Sequence, residues 1–283
     1  MKALVIGKGV VGDATGYALE QRGHDVVYHD PPKGIEDSAD GVGVALICVP
    51  TPRGALGYNS RSIVYRAADW LDAQSYTGLV GIRSTVVPGT CDDLQAEFPA
   101  MTWFSWPEFL QADRAREMAL HPPYVVRGTP RGLFAEQPLD KCNEACAYAY
   151  CDLFAHWTMV CLGSSDCVPQ FCLPNTEAEF IKYATNCLLA GAVGIANDLA
   201  DWADALGLDY NALVPPICEK DAILPSNVYR SDEGGFGGAC LPKDLAAALF
   251  HASRDRGVDM PVLEAVQEAN QARRPECYGG GGQ

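Results

Sequence analysis

Residues 2–30 leave this chain few folds to choose from. Lys2–Ile6 is a short apolar run of strand character, and Gly7-Lys8-Gly9-Val10-Val11-Gly12 follows it at once. Asp13–Gln21 then reads as a helix that Gly23 ends, and Asp25–Asp30 reads as a second strand closing on an acid. A Gly-x-Gly-x-x-Gly between strand and helix, with an acid about 20 residues further on, is the pattern of a dinucleotide-binding loop. Gly7 makes the tight turn, Gly9 lets the backbone reach a pyrophosphate, and Gly12 lets helix and strand pack closely, with Val10 and Val11 lying between them. Asp30 suits the adenosine ribose hydroxyls. No arginine follows it directly to take a 2′-phosphate, which favours NAD over NADP.

The next 130 residues alternate strand and helix patterns. Val42–Val49 is an apolar strand stopped by Pro50-Thr51-Pro52, and Ser62–Ala73 is amphipathic. Leu79–Arg83 is a strand running into Ser84-Thr85-Val86, and Thr102–Trp106 another running into Pro107-Glu108-Phe109-Leu110. A strand at Tyr124–Val126, a helix over Leu139–Ala155 and a strand at Thr158–Leu162 complete the run. Alternation of this kind predicts a doubly wound parallel sheet of Rossmann type over residues 1–174. Thr51, Thr85 and Glu108 then each lie just beyond the carboxyl end of a strand, with Val49, Pro50 and Ser84 beside them, at the edge where such sheets bind ligands.

The remainder reads as helical, over 175–274, with a flexible tail at 275–283. Thr176 is an N-cap candidate for a helix running to about Leu206, on which Lys182 and Asn186 share a face one turn apart among apolar neighbours. A helix this long predicts packing against a second copy of the chain or a span across two domains. Further helices fall at Asn211–Cys218, Pro242–Arg254 and Pro261–Arg273. Ahead of the second of these lies Gly235-Phe236-Gly237-Gly238-Ala239-Cys240-Leu241-Pro242-Lys243-Asp244. A thiol just before a helix N-terminus, with Lys243 close by, sits where the thiolate is favoured, so Cys240 reads as a nucleophile.

Composition narrows the partners. With 21 basic and 36 acidic residues the net charge is −15, which disfavours nucleic acid and means that an anionic substrate needs local cations or helix N-termini. Twelve cysteines suggest disulfides or metal, but no pair has the Cys-x-x-Cys spacing of a zinc site, and 283 residues is long for a disulfide scaffold. Free thiols, no metal and a cytoplasmic location are expected. No leader is expected, since the first strand begins at residue 2, and no apolar run reaches the roughly 18–20 residues that span a bilayer.

Taken together and in order, Gly7–Gly12, Val49-Pro-Thr-Pro52, Ser84-Thr85-Val86, Pro107-Glu-Phe-Leu110, Glu179-Phe-Ile-Lys-Tyr-Ala-Thr-Asn186 and Gly235–Asp244 resemble the UDP-glucose/GDP-mannose dehydrogenase family of nucleotide-sugar dehydrogenases. The resemblance implies oxidation of a sugar primary alcohol to a carboxylate with two NAD and one water. It implies that Cys240 adds to the intermediate aldehyde and then carries a thioester. Lys182 and Asn186 would stabilise oxyanion character, Asp244 and Thr85 would hold water or move protons with Lys182, and Glu108 would serve as acid/base for hydrolysis. Phe109, Leu110, Phe236, Gly237 and Lys243 would join them in binding the substrate. Members of that family carry a second Rossmann-like unit beyond these helices, and an arginine where this chain has Leu224, so a shortened form is expected. Enzymes of the 6-phosphogluconate or 3-hydroxyacid type also place Lys and Asn one turn apart but need no cysteine. A silent NAD-binding partner is the third alternative.

Overall fold

The computed structural model describes residues 1–54, 59–130, 169–218, 234–238, 240–255 and 257–277. The helix expected at Leu139–Ala155, the strand at Thr158–Leu162 and Leu224 lie outside them. The chain forms two compact units, one of Met1–Thr51 and Arg61–Lys182, the other of Pro52–Ser60 and Tyr183–Gln283.

In the first unit β1 (Lys2–Ile6), β2 (Asp25–Asp30), β3 (Ile35–Glu36), β4 (Val44–Ile47), β5 (Leu79–Ile82) and β6 (Thr102–Ser105) form one sheet in the order β3-β2-β1-β4-β5-β6. All pairings are parallel except the short β2–β3 edge. The central strands are apolar at nearly every position because both of their faces are covered. Leu4, Ile6, Ile47, Ile82 and Trp103 point to the side of α2 (Ser62–Ala73) and α3 (Thr90–Glu97), where they meet Val64, Leu71 and Leu94. Ala3, Val5, Leu46 and Phe104 point to the other side, where Leu19 of α1 (Val10–Gln21) lies. Each large side chain so buried contributes roughly 1.5–3 kcal/mol.

Several sequence boundaries shift by one to four residues. The strand expected at Val42–Val49 is shorter, Val44–Ile47, although Gly43 N–H and Cys48 N–H still reach the Lys2 and Ile6 carbonyls of β1. Helix α1 begins at Val10, as the glycine loop itself leads into the first turn. After α4 (Ala115–Leu120), strands β7 (Val125–Thr129) and β8 (Gln170–Pro174) pair in parallel. The long helix α5 spans Asn175–Ala205. It starts one residue before the expected cap, so Thr176 lies in its first turn, and the Thr176 hydroxyl donates to Asp92. Asn175 fastens this start to β6. Fully buried, it accepts from Ser105 N–H at 2.9 Å and donates to the Trp103 carbonyl at 3.1 Å.

The second unit holds the rest of α5 with α6 (Tyr210–Cys218), α7 (Leu241–Phe250) and α8 (Pro261–Arg273). Ala196, Ala200 and Ala203 of α5 pack with Tyr210 and Val214 of α6. Cys187 and Ala190 pack with Phe236, Leu245 and the Leu263 and Val266 side of α8. Helix α7 stops at Phe250, four residues short of expectation, and His251–Asp255 continues as a π-helical turn.

Candidate active site

In the first unit the strands run the same way, so the loops after β1, β4, β5 and β6 share one edge of the sheet. The crossovers diverge between β1 and β4, and the glycine loop sits there. Gly7 has φ +90°, and a Cβ on it would come 2.9 Å from the Cys48 carbonyl oxygen. A Cβ on Gly12 would come 1.8 Å from the Gly7 oxygen. A Cβ on Gly9 would meet nothing within 4 Å. Gly7 and Gly12 are therefore required by the fold, and Gly9 leaves bare backbone where α1 begins. That helix has no side-chain cap, so its first amides are available to an anion. Val10 is exposed there and Val11 packs towards Val5 and Leu19. Asp30, at the end of β2, accepts the Lys8 amide at 2.8 Å, which ties the loop to the acid expected at the ribose. Next along the edge, the Thr51 hydroxyl donates to the Thr85 carbonyl at 2.9 Å and the Ser84 hydroxyl to the Val49 carbonyl at 2.7 Å. Pro50 lies between Val49 and Thr51 in this loop. These residues fit a dinucleotide: a cradle of bare backbone, a helix N-terminus and a carboxylate at one switch point.

Glu108, carried by the loop after β6, is buried. Its Oε1 lies 3.2 Å from Lys182 Nζ, and its Oε2 accepts the Leu110 amide at 2.7 Å. The Lys182 ammonium also lies 5.3 Å over the Phe109 ring. Arg83, Trp106, Glu108, Phe109, Leu110 and Tyr124 line one cleft. The Asn175 clamp between β6 and α5 is what brings this carboxylate and this ammonium to one place. One turn before Lys182, Glu179 is almost fully buried and accepts the Gly89 amide at 2.6 Å and the Cys91 amide at 2.9 Å. It thereby anchors the end of the Ser84–Gly89 loop. Burial pushes its carboxyl up to about 7, against the pull of the Cys91 thiol and the two amides.

In the second unit Asp244 is fully buried on α7. Asn186 Nδ2 donates to it at 2.6 Å, Asn59 Nδ2 at 3.1 Å, and Lys243 Nζ lies 2.5 Å away. Asn59 also donates to the Tyr183 hydroxyl at 2.6 Å, while its buried Oδ1 accepts no hydrogen bond. Asn59 and Tyr183 were not expected from sequence. Nothing in the polar run around Asn59 marks it, and it finds its partner 185 residues away. Cys240 stands at the N-cap of α7, exposed, one turn from Asp244, whose amide donates to the Cys240 carbonyl at 2.8 Å. The buried thiols differ from it sharply. Desolvation raises Cys48 and Cys187 to about 11 and lifts Cys91 well above the ordinary thiol range, so these are poor thiolates. Phe236 is buried in the adjoining core and Gly237 follows it. Lys182 and Asn186 lie one turn apart on α5, yet each has its own carboxylate, Glu108 for the first and Asp244 for the second. No group of three or more His, Cys, Asp or Glu among the described residues could hold a metal ion.

A doubly wound sheet with this loop at its switch point defines a dinucleotide-binding α/β protein, here joined to a helical unit that carries a cysteine at a helix N-terminus. Residues 176–272 match the model of the central domain of the UDP-glucose/GDP-mannose dehydrogenase family. A GDP-mannose 6-dehydrogenase of Pseudomonas putida is 26% identical over 317 residues, covering 98% of this chain and 70% of its own length. A UDP-glucose 6-dehydrogenase of Rickettsia bellii is 30% identical over 234 residues, covering 81% of this chain and 49% of its own. The structure of a UDP-glucose dehydrogenase from Pyrobaculum islandicum superposes with a TM-score of 0.76 at 24% identity, over 96% of this chain and 68% of that one. Residues 176–272 thus carry the central domain of that family, and the chain spans about half to two-thirds of the length of these relatives.

Proposed function

We propose that this protein is an NAD-dependent nucleotide-sugar 6-dehydrogenase that oxidises the primary alcohol of its sugar to a carboxylate through Cys240. One observation carries the reading: the thiol exposed at a helix N-terminus lies one turn from a fully buried carboxylate that Asn186, Asn59 and Lys243 hold in place. A hydroxyacid dehydrogenase working in one step has no use for such a thiol.

The dinucleotide is held by Gly7, Gly9, Val10, Val11, Gly12 and Asp30, with Val49, Pro50, Thr51, Ser84 and Thr85 along the same edge. NAD, when bound, would supply the hydride acceptor for both oxidations of the sugar carbon, the alcohol first and the cysteine adduct second. The Cys240 thiolate forms a C–S bond to the aldehyde carbon while the carbonyl electron pair moves onto oxygen, where Lys182 and Asn186 stabilise it. Once that carbon is at the acyl level, water adds to the thioester, Glu108 takes its proton, and the C–S bond breaks to return the thiolate. Asp244 and Thr85 hold the water or pass protons with Lys182. Glu108, Phe109, Leu110, Phe236, Gly237 and Lys243 grip the sugar end. In a chain of net charge −15, Lys182 and Lys243 are the local cations that an anionic nucleotide sugar requires.

In this reading residues 1–174 bind the cofactor and 175–274 bring the catalytic helices and the dimer contact; of the tail expected at 275–283, residues 278–283 lie outside the described residues. Leu188, Ile195, Leu199 and Trp202 form an exposed apolar stripe on α5, continued by Leu206 just past its end, which supports a homodimer along that helix. No helix among the described residues is long and apolar enough to cross a membrane, and the acidic charge disfavours nucleic acid. The cytoplasm is the compartment we assign. Incubation with NAD and, separately, UDP-glucose, GDP-mannose and UDP-N-acetylmannosamine, with products identified by mass, tests the proposal. A uronate from one of these sugars supports it. A ketone product would place the protein with the one-step enzymes, and NAD binding without any product would leave it a silent partner.

A further inference from the structure

The loop that delivers Cys240 is rich in glycine, and glycine gains most conformational freedom when nothing holds it. Here it is held from one side, by a helix that follows it in sequence. Asn270, near the end of α8, is 3% exposed. Its Oδ1 accepts the Phe236 amide at 2.8 Å and its Nδ2 donates to the Phe236 carbonyl at 2.9 Å, so one side chain satisfies both backbone groups of one loop residue. The Phe236 ring is sunk among Leu245, Leu263 and Val266. Arg274, one turn beyond Asn270, lies along the glycines on either side. A Cβ on Gly235 would come 3.1 Å from Arg274 Cγ and 2.6 Å from Asn270 Oδ1, and one on Gly237 would come 2.6 Å from Arg274 Nη1. After Gly238, at φ +75°, the chain enters α7 at Cys240.

We infer that Asn270 is a positioning residue for the nucleophile: a two-point clamp on Phe236, backed by Arg274 against Gly235 and Gly237, that sets where the Cys240 thiol stands at the start of α7. The inference rests on Cys240 being the nucleophile. Displacement of a reacting atom by about 1 Å costs on the order of a hundredfold in rate, so a clamp four residues before the thiol bears on its reactivity.

Asn270→Asp keeps the shape but removes the donor to the Phe236 carbonyl. In the purified full chain we expect kcat to fall about a hundredfold, with KM for NAD and for the sugar within about twofold of wild type. Alkylation of Cys240 by iodoacetamide, located by peptide mapping, should slow about tenfold as the thiolate leaves its place at the helix N-terminus. Arg274→Met, which keeps the stem and removes the guanidinium, should slow alkylation in the same direction by less. It serves as the reporter if the Asn270 variant does not fold. Alkylation needs no substrate, so it tests the clamp even if the dehydrogenase reading fails; that reading fails separately if wild type and Cys240→Ser turn over alike. Cys240 alkylated at the wild-type rate in both variants overturns the inference, as does a fall in NAD affinity equal to the fall in kcat.

Discussion

At the scale of single residues, the three glycines of the first loop differ in what they do, and the difference can be measured. Gly12 has no room for a Cβ, which would lie 1.8 Å from a backbone oxygen. Gly12→Ala should therefore lose about 3 kcal/mol or more of stability in urea unfolding. Gly9 meets nothing and has an ordinary φ of −78°. Gly9→Ala should stay within about 1 kcal/mol of wild type, while its NAD affinity drops at least about tenfold as the methyl blocks the pyrophosphate. Unchanged NAD affinity in a folded Gly9→Ala protein counts against this loop as the cofactor site. These glycines were legible in sequence because a strand, a tight turn and a helix must each be written locally. Asn59 and Asn270 were not, since their partners come from distant segments. Asn270 left one trace: it falls on the Leu263–Val266 face of its helix, a polar residue in an apolar stripe, and such a residue must find partners when buried.

At the scale of elements, α5 organises the chemistry. From one helix Glu179 anchors the loop that carries Thr85, Lys182 meets Glu108, and Asn186 holds Asp244. Its existence and the Lys182–Asn186 spacing were readable from helical periodicity, but its first turn was not. Asn175 and Thr176 spend their side chains on β6 and Asp92 instead of capping. Glu179 gives this element a pH signature. Its folded pKa, raised to about 7 by burial, exceeds the ordinary 4.5. The fold thus favours the protonated form, and the stability this contributes is full below 4.5 and lost as pH rises through 7. Glu179→Gln does not titrate. The unfolding free energy of wild type relative to Glu179→Gln should fall by roughly 3 kcal/mol between pH 4 and pH 8. An offset that is the same at both pH values would show that burial does not shift Glu179 and that it titrates alike in the folded and unfolded chain.

At the scale of the whole molecule, the parallel sheet and the run of motifs along the chain were foreseeable, because parallel strands buried on both faces read as continuous apolar segments. Which carboxylate serves which partner was not, as that depends on how distant segments pack. The apolar stripe on α5 predicts a dimer by sedimentation, and Trp202→Glu, which replaces a side chain 66% exposed, should shift the protein to monomer without unfolding it. Wild type sedimenting as a monomer would remove the stripe's proposed role. The central claim, two oxidations through one cysteine, is tested most directly by counting NADH per molecule of sugar consumed, for wild type and Cys240→Ser. The account predicts two NADH and one carboxylate per sugar in wild type, with two-step turnover lost in the variant. One NADH per sugar, unchanged by the substitution, would contradict it.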